Sequence, residues 1–381
     1  MENRREFIKR ATLGGIAVMG AASSTSAGVR SIGSFLANDD TDRSPSRDPL
    51  TLQDSTIVVD GLSPAAVNEE SIAMLHQGHV ACWQRTMYGI DSFADVYNFL
   101  DSHKDAIVPV FTVDEIRGAY SNKKIALILG WQAALDLGTR MIEPLTPFGS
   151  SLRAYYQMGL RVSGIAYNVS NIFGGGCLEP KVGLTKMGHR LVEEIHKLNI
   201  VLDVGAHTAE QTSFDAIGIS KGIPVICSHT NMAALFAHPR CISDRLAEAI
   251  AATGGVIGIT AVNFFLGHAT RPSDVNQLPR VGVNAYVDQL EYLRRLVGVD
   301  HVGLGPDFGQ GRAAIWAMRN RVVLPPDVFG EGFLVYAKNF ENPSQFPNVT
   351  RALIQRGWSS GEIRKVLGEN WLRVYKQVWK A

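Results

Sequence analysis

Three residues that can bind a metal ion or move a proton each end a short apolar run of the sequence. The run IVLDVGAH ends at His207, the run IPVICSH ends at His229, and the run HVGLGPDF contains Asp307. A neutral imidazole binds divalent metal ions, and a carboxylate accepts a proton from water. A histidine at one strand end is more often a structural residue, but two beside an aspartate favour a metal-dependent hydrolase.

Arg240 and Asp307 each have two competing interpretations. Arg240 can clamp a substrate carboxylate, or it can be a surface residue that pairs with Asp244. Asp307 can be a general base, or it can cap the turn that follows it. Neither Ser63 nor Ser228 lies in a GxSxG elbow, so a serine hydrolase is not favoured.

The elements that must position these residues alternate between strand-like runs and helical patterns. Eight such runs separated by helices predict a (β/α)8 barrel, in which the loops after the strands share one face. The competing fold is a doubly wound sheet, but the turn at 61–64 lacks its glycine signature. The predicted strands are Thr56–Asp60, His79–Trp83, Ile125–Leu129, Arg161–Ala166, Val201–Val204, Val225–Ser228, Val256–Thr260 and Val302–Gly305.

The composition points to a small-molecule partner. The net charge is +1 over 381 residues, without a basic stripe, so we expect no nucleic-acid partner. Arg4 and Arg5, followed by an apolar run at 11–22, form a twin-arginine export pattern, and that run is too short for a stable membrane span. We therefore predict a signal peptide at 1–27, a flexible linker at 28–54, a barrel domain at 55–381, and a periplasmic location.

Four motifs together resemble the membrane (renal) dipeptidase family, and the resemblance extends from Thr56 to Val378. The motifs are PVICSHTN (224–231), AHPRCISD (237–244), GGVIGI (254–259) and LVGVDHVGLGPDF (296–308). The resemblance implies an amidohydrolase-like barrel that often dimerises and uses zinc-activated water to hydrolyse dipeptides. It also implies that His207 and His229 bind one zinc ion, that Arg240 receives the substrate carboxylate, and that Asp307 is the catalytic aspartate.

The sequence departs from the family pattern on one side of the implied site. Leu62 lies where the family has a His-x-Asp pair, Gln132 replaces a metal-bridging glutamate, and Tyr167 replaces a histidine. We therefore expect one zinc ion instead of two, with Gln132 as a third metal ligand. Tyr167 would contact the substrate and donate a hydrogen bond to the developing oxyanion. A non-catalytic ligand-binding barrel, or altered chemistry at a retained metal, is the alternative.

Overall fold

The structure is a computed structural model that describes residues 48–134, 137, 148–266, 280–309, 321–322, 324–329 and 335–380. The predicted signal peptide and most of the predicted linker lie outside these residues. The end of the linker differs from the prediction, since Pro49–Asp54 form helix α1 and Leu52 is buried. The helix forms there because Asp48 caps it through a 2.9 Å hydrogen bond from the Thr51 amide, and Pro49 occupies its first position.

The described residues form nine strands, all paired in parallel. The strands are β1 (Val59–Ser63), β2 (Cys82–Thr86), β3 (Ile107–Pro109), β4 (Ile125–Trp131), β5 (Leu160–Ser163), β6 (Val201–Leu202), β7 (Ile226–Thr230), β8 (Val256–Ile259) and β9 (Val302–Leu304). One sheet has the order β1, β2, β4, β5, β6, and a second has the order β7, β8, β9. The short β3 pairs with the start of β4, and β5 pairs with the end of β4 along the same edge.

Two connections join the sheets into a ring. A parallel bridge between Asp203 and Ile226 continues β6 onto β7. On the other side, the Asp307 amide donates a 3.1 Å hydrogen bond to the Leu62 carbonyl, which joins the chain after β9 to β1. The predicted (β/α)8 barrel is therefore confirmed, with β3 as an addition that the sequence did not indicate.

Helices alternate with the strands along most of the chain. None of the helices in the described part of the chain is long and apolar enough to cross a membrane. They are α2 (Glu69–Gln77), α3 (Gly89–Ser102), α4 (Val113–Ser121), α5 (Phe148–Gln157), α6 (Lys186–Lys197), α7 (Glu210–Ile219), α8 (Asp244–Ala252), α9 (Asn263–Leu266), α10 (Val283–Val297), α11 (Pro326–Phe329), α12 (Phe346–Gln355), α13 (Ser360–Arg364) and α14 (Asn370–Val378).

The C-terminal helix α14 fills part of the barrel interior. Trp371 and Tyr375 pack in a buried cluster with residues from β1, β2 and β4 to β8. A Cβ atom on Gly61 or Gly303 would lie 2.5 or 2.7 Å from the Trp371 ring, so glycine is needed at both positions. The Tyr375 hydroxyl donates a 3.1 Å hydrogen bond to Gln84. This part of the interior is therefore a packed core.

Candidate active site

The predicted site residues lie at the carboxyl ends of the strands. His229 lies within β7, His207 and Asp307 follow β6 and β9, and Gln132 and Tyr167 follow β4 and β5. The segment from β6 to His207 passes through two left-handed residues, Gly205 (φ 79°) and Ala206 (φ 53°). The Gly205 amide donates to Ser213 Oγ at 2.9 Å, which holds this turn in place.

The two histidine rings meet at their Nε2 atoms. The Nε2 atoms of His207 and His229 are 3.0 Å apart, and both side chains are buried. The Nδ1 atom of His207 is 2.7 Å from Asn168 Oδ1, and the Nδ1 atom of His229 is 2.7 Å from Ser228 Oγ. Burial lowers the pKa of both rings well below the ordinary value, and the positive charge of Arg240 lowers both further. Both imidazoles are therefore neutral near pH 7.

The hydrogen bonds determine where the protons lie. The Asn168 amide oxygen only accepts, so His207 carries its proton on Nδ1 and keeps a lone pair on Nε2. One proton fits between the two Nε2 atoms, so His229 donates from Nε2 to His207. The Ser228 hydroxyl then donates to Nδ1 of His229. A chain of three hydrogen bonds thus connects Ser228 to Asn168.

The pair fits two coordination positions of a zinc ion. If His229 moves its proton to Nδ1 and donates to the Ser228 oxygen, both Nε2 atoms have a free lone pair. Tetrahedral zinc with Zn–N bonds of about 2.0–2.1 Å separates two nitrogens by roughly 3.3 Å, close to the observed 3.0 Å. Metal-binding histidines usually donate their other ring nitrogen to a carboxylate, a backbone carbonyl or water, and here an amide oxygen and a hydroxyl take that place.

The remaining coordination positions are less well supplied by the protein. Across the described ranges, no three His, Cys, Asp or Glu side chains lie close enough to share one ion. The Gln132 Oε1 atom is buried and has no hydrogen-bond partner within those ranges, so it is free to act as an oxygen donor. The hydrogen bonds of His207 and His229 go to Asn168, to Ser228 and to each other. The structure thus brings the two histidines together, and Gln132 as a ligand stays a prediction.

Tyr167 lies against the histidine pair. Its ring stacks on His207 with the centroids 3.8 Å apart and the planes 20° from parallel. Burial raises the pKa of the Tyr167 hydroxyl well above its ordinary value, and the charge of Arg240 opposes this. The hydroxyl therefore stays protonated across the physiological range.

Arg240 is a buried cation that forms no ion pair with any described carboxylate. Its side chain is 3% exposed, and its Nη1 atom has no hydrogen-bond partner in the described part of the chain. The guanidinium lies 5.4 Å from the centre of the Phe265 ring. Asp244, the alternative partner, instead accepts a 2.7 Å hydrogen bond from Tyr292. A buried guanidinium without an ion pair is chemically suited to bind a carboxylate.

His238 holds the Arg240 backbone in place. Its Nδ1 accepts a 3.1 Å hydrogen bond from the Arg240 amide, and its Nε2 lies 3.1 Å from the Val328 carbonyl. The ring packs against Phe264, Phe265 and Phe329, with centroids 4.8 to 5.3 Å apart. Burial lowers the pKa of His238 to about 4, which keeps the ring neutral.

Asp307 has the properties of a group that exchanges protons near neutrality. It is partly buried, and burial raises the pKa of its carboxyl group to about 7, against the opposing effect of Arg240. Its backbone is left-handed with φ 62°, and its carbonyl accepts a 2.9 Å hydrogen bond from the Tyr336 hydroxyl. These contacts fix the backbone of Asp307, while its carboxyl group remains able to titrate.

Sequence reasoning missed three buried polar residues at the site. Asn168 and Ser228 hold the outer nitrogens of the histidines. Asp203 accepts a 2.9 Å hydrogen bond from the Ser228 amide, and burial raises the pKa of its carboxyl group to about 7. The one available signal was that each of these three polar residues lies within or shortly after a buried strand, as His207 does.

Comparison with known proteins identifies the relatives of this chain. "Dipeptidase tcpJ" of Claviceps purpurea is 24% identical over 318 residues, covering 83% of this chain and 64% of that protein's own length. An amidohydrolase from Pseudomonas aeruginosa has a similar structure, with a TM-score of 0.75, 27% identity, and coverage of 87% of this chain and 99% of that one.

A third relative is a metallopeptidase from Rhodobacter sphaeroides, whose structure contains a phosphinate mimic of the dipeptide L-Ala-D-Ala. Its TM-score is 0.69, its identity 18%, and the match covers 85% of this chain and all of that one. At this identity the likeness shows the fold alone. The model of the membrane dipeptidase family matches residues 71–325 and 327–381. The chain therefore belongs to the membrane dipeptidase family, Peptidase family M19.

Proposed function

We propose that the protein is a metal-dependent hydrolase that cleaves a dipeptide or a related amide. The observation that carries this proposal is the pair of buried, neutral imidazoles whose Nε2 atoms lie 3.0 Å apart, each with an outer hydrogen-bond partner. Membership of the dipeptidase family and the carboxylate site at Arg240 support it. The dipeptide mimic bound to the Rhodobacter sphaeroides relative supports the substrate class.

In the proposed reaction the chain's own residues bind the substrate and move a proton. His207 and His229 would hold the metal, which when bound lowers the pKa of water and polarises a carbonyl group. Arg240 binds the terminal carboxylate of the substrate and so fixes the position of the scissile amide. The Tyr167 hydroxyl, which stays protonated, donates a hydrogen bond to the oxygen that gains negative charge.

Asp307 supplies the proton transfer. With a pKa of about 7, roughly half of its carboxyl groups are ionised at neutral pH. The carboxylate takes a proton from the attacking water while the new C–O bond forms. The protonated acid then gives that proton to the amide nitrogen as the C–N bond breaks. The products are a carboxylic acid and an amine, and Asp307 returns to its starting state.

Several finer features are part of the same proposal. We propose zinc as the metal, one ion per chain, and Gln132 as its third protein ligand. The buried and unpartnered Gln132 Oε1 atom supports this ligand. The twin arginines at Arg4 and Arg5 support export to the periplasm. Association into a homodimer is also proposed, on the resemblance to the family.

A ligand-binding barrel without catalysis is the second candidate function. The specific observation in its favour is that the described residues offer no cluster of three His, Cys, Asp or Glu ligands. Such a protein would keep the Arg240 carboxylate site and bind its ligand without turnover. Saturable binding of a dipeptide that is unaffected by chelation would favour this candidate.

Turnover of a dipeptide panel by the full-length mature protein tests the leading proposal. We expect hydrolysis that is lost after chelation and restored by one equivalent of Zn²⁺. His196→Ala is a suitable control, because this half-buried histidine contacts Ser220 and lies on helix α6. Absence of hydrolysis by the zinc-loaded protein across the panel would refute the proposal.

A further inference from the structure

Asn168 contacts His207 at two separate points. Its amide oxygen accepts from the ring at 2.7 Å, and its backbone amide donates to the His207 carbonyl at 3.0 Å. The side chain of Asn168 is fully buried. Both the main chain and the ring of His207 are therefore fixed by one residue from the loop after β5.

The loop around Asn168 has little freedom to move. Its carbonyl accepts a 2.8 Å hydrogen bond from the Leu178 amide, and the Cys177 thiol lies 3.3 Å from its amide oxygen. A Cβ atom on Gly176 would lie 2.1 Å from the Asn168 carbonyl carbon, so the two backbones pack closely. Asn168 has φ 60°, a left-handed conformation that asparagine and glycine adopt most readily. The amide oxygen is therefore held at a fixed place.

The two histidines differ in what their outer partners allow. An amide oxygen only accepts, so Asn168 restricts His207 to the tautomer with a free Nε2 lone pair. A hydroxyl both donates and accepts, so Ser228 is compatible with either tautomer of His229. His207 is thus prepared for metal binding, whereas His229 must move its proton.

We propose that Asn168 is a positioning residue that sets the metal affinity of the site by fixing the tautomer and orientation of His207. The metal-affinity part rests on the proposed function, because it takes His207 and His229 as metal ligands. The tautomer part concerns the metal-free protein and stands without it. Loss of an outer hydrogen bond of this kind typically weakens metal binding by about 10–100-fold.

Two substitutions of Asn168 separate the hydrogen bond from backbone strain. Asn168→Gly tolerates the left-handed backbone but removes the acceptor, and Asn168→Asp keeps an acceptor at the same place. We expect Asn168→Gly to weaken Co²⁺ and Zn²⁺ binding to the full chain by about 10–100-fold, and Asn168→Asp to stay within about threefold of wild type. The control is Asn370→Ala, which removes two 2.8 Å hydrogen bonds that join the start of helix α14 to the Val299 and Val302 carbonyls. It should lower the melting temperature and leave metal affinity unchanged.

Nitrogen-15 NMR of the metal-free protein, with labelled histidine, gives a second readout. We expect His207 to be protonated at Nδ1 in wild type and in Asn168→Asp, and to show mixed tautomers in Asn168→Gly. A His207 ring protonated at Nε2 in wild type would overturn the proposal, as would Asn168→Gly with wild-type metal affinity. A wild-type protein that binds no Co²⁺ or Zn²⁺ but shows the expected tautomer would refute the proposed function and leave the tautomer assignment standing.

Discussion

The two sides of the barrel rim share one scaffold but differ in chemistry. The charged side, formed after β6, β7 and β9, carries His207, His229, Arg240 and Asp307. The neutral side, formed after β1, β4 and β5, carries Leu62, Gln132 and Tyr167. Leu62 is 1% exposed and Gln132 is 7% exposed, so both are packed within the fold. The hydrogen bond from the Asp307 amide to the Leu62 carbonyl shows that the two sides adjoin.

This difference indicates how a barrel of this family can operate with part of the usual ligand set. The proposed metal-binding histidines, the proposed carboxylate site and the proposed proton-transfer group all lie on the charged side. The neutral side offers an amide oxygen and a phenol, which donate or accept hydrogen bonds but cannot balance a second divalent ion. We therefore expect the charged side to supply the two histidine ligands and the proton-transfer group, while the neutral side adds only Gln132 and the Tyr167 hydroxyl.

Removing one histidine from the charged side should have the largest effect. We expect His229→Ala to lower kcat/KM by about 1,000-fold or more, because catalysis requires the metal. Metal content, measured by mass spectrometry on the purified variant, should fall with activity. His196→Ala should change neither quantity. Full activity in His229→Ala would show that the charged side does not hold the metal.

Arg240 should contribute through substrate binding. We expect Arg240→Met to raise KM for a dipeptide by about 10–100-fold, since hydrogen bonds to charged groups contribute about 1.5–3 kcal/mol. For a dipeptide amide, which has no terminal carboxylate, the same substitution should raise KM by less than about threefold. Arg245→Met is the matched control, because Arg245 also lies over an aromatic ring, 4.4 Å from Phe214, on helix α8. An equal increase in KM for the dipeptide and for its amide would rule out a carboxylate clamp at Arg240.

The pH dependence of activity should follow Asp307. As a general base with a pKa of about 7, it should give a kcat/KM that falls about tenfold per pH unit below that value. Asp307→Asn should remove this dependence along with most of the activity. A profile in wild type that is flat from pH 5 to 8 would contradict the assigned role.

The Asp307 carboxyl group should also make the stability of the fold depend on pH. Its pKa is raised in the folded state from 3.8 to about 7, so folding favours the protonated form. The stabilising contribution is present below pH 3.8 and is lost as the pH rises through 7. The free energy of unfolding of the metal-free proteins can be measured with urea. The value for Asp307→Asn minus the value for wild type should be about 1–4 kcal/mol higher at pH 8 than at pH 4. No such pH-dependent difference would mean that the carboxyl group titrates normally.

Restoring ligands to the neutral side should have the smallest effect on activity. The triple variant Leu62→His, Pro64→Asp and Gln132→Glu would return metal-binding side chains to β1 and β4. We expect its zinc content to rise toward two ions per chain, with a change in kcat/KM of less than about tenfold. Unchanged metal content would show that packing on the neutral side, and not ligand loss alone, excludes the second ion.

Sequence patterns were sufficient to predict the site residues that lie on strands or shortly after them. The strand-end rule placed His207, His229 and Asp307 on one face, because all carboxyl ends of a parallel barrel open together. The predicted first strand, Thr56–Asp60, was too early along the chain. The Thr56 hydroxyl instead bonds to the Leu52 carbonyl at 2.8 Å, so Thr56 belongs to the turn after α1.

Contacts between loops could not be predicted in this way. The bond between Asn168 and His207 depends on how the loop after β5 folds against the loop after β6, which no local pattern specifies. The sequence raises only the question of a nucleophilic role for Ser228, whereas its hydroxyl forms a hydrogen bond with His229. The three-residue strand β3, Ile107–Pro109, is too short to produce a periodic signal.

Anomalous diffraction at the zinc edge, from crystals of the zinc-loaded wild-type protein, tests the central claim most directly. We predict one zinc peak per chain, about 2.0–2.1 Å from the Nε2 atoms of both His207 and His229. A peak elsewhere with none between these two atoms, or a second peak beside Leu62 and Gln132, would contradict the proposed site of one zinc ion bound by His207 and His229.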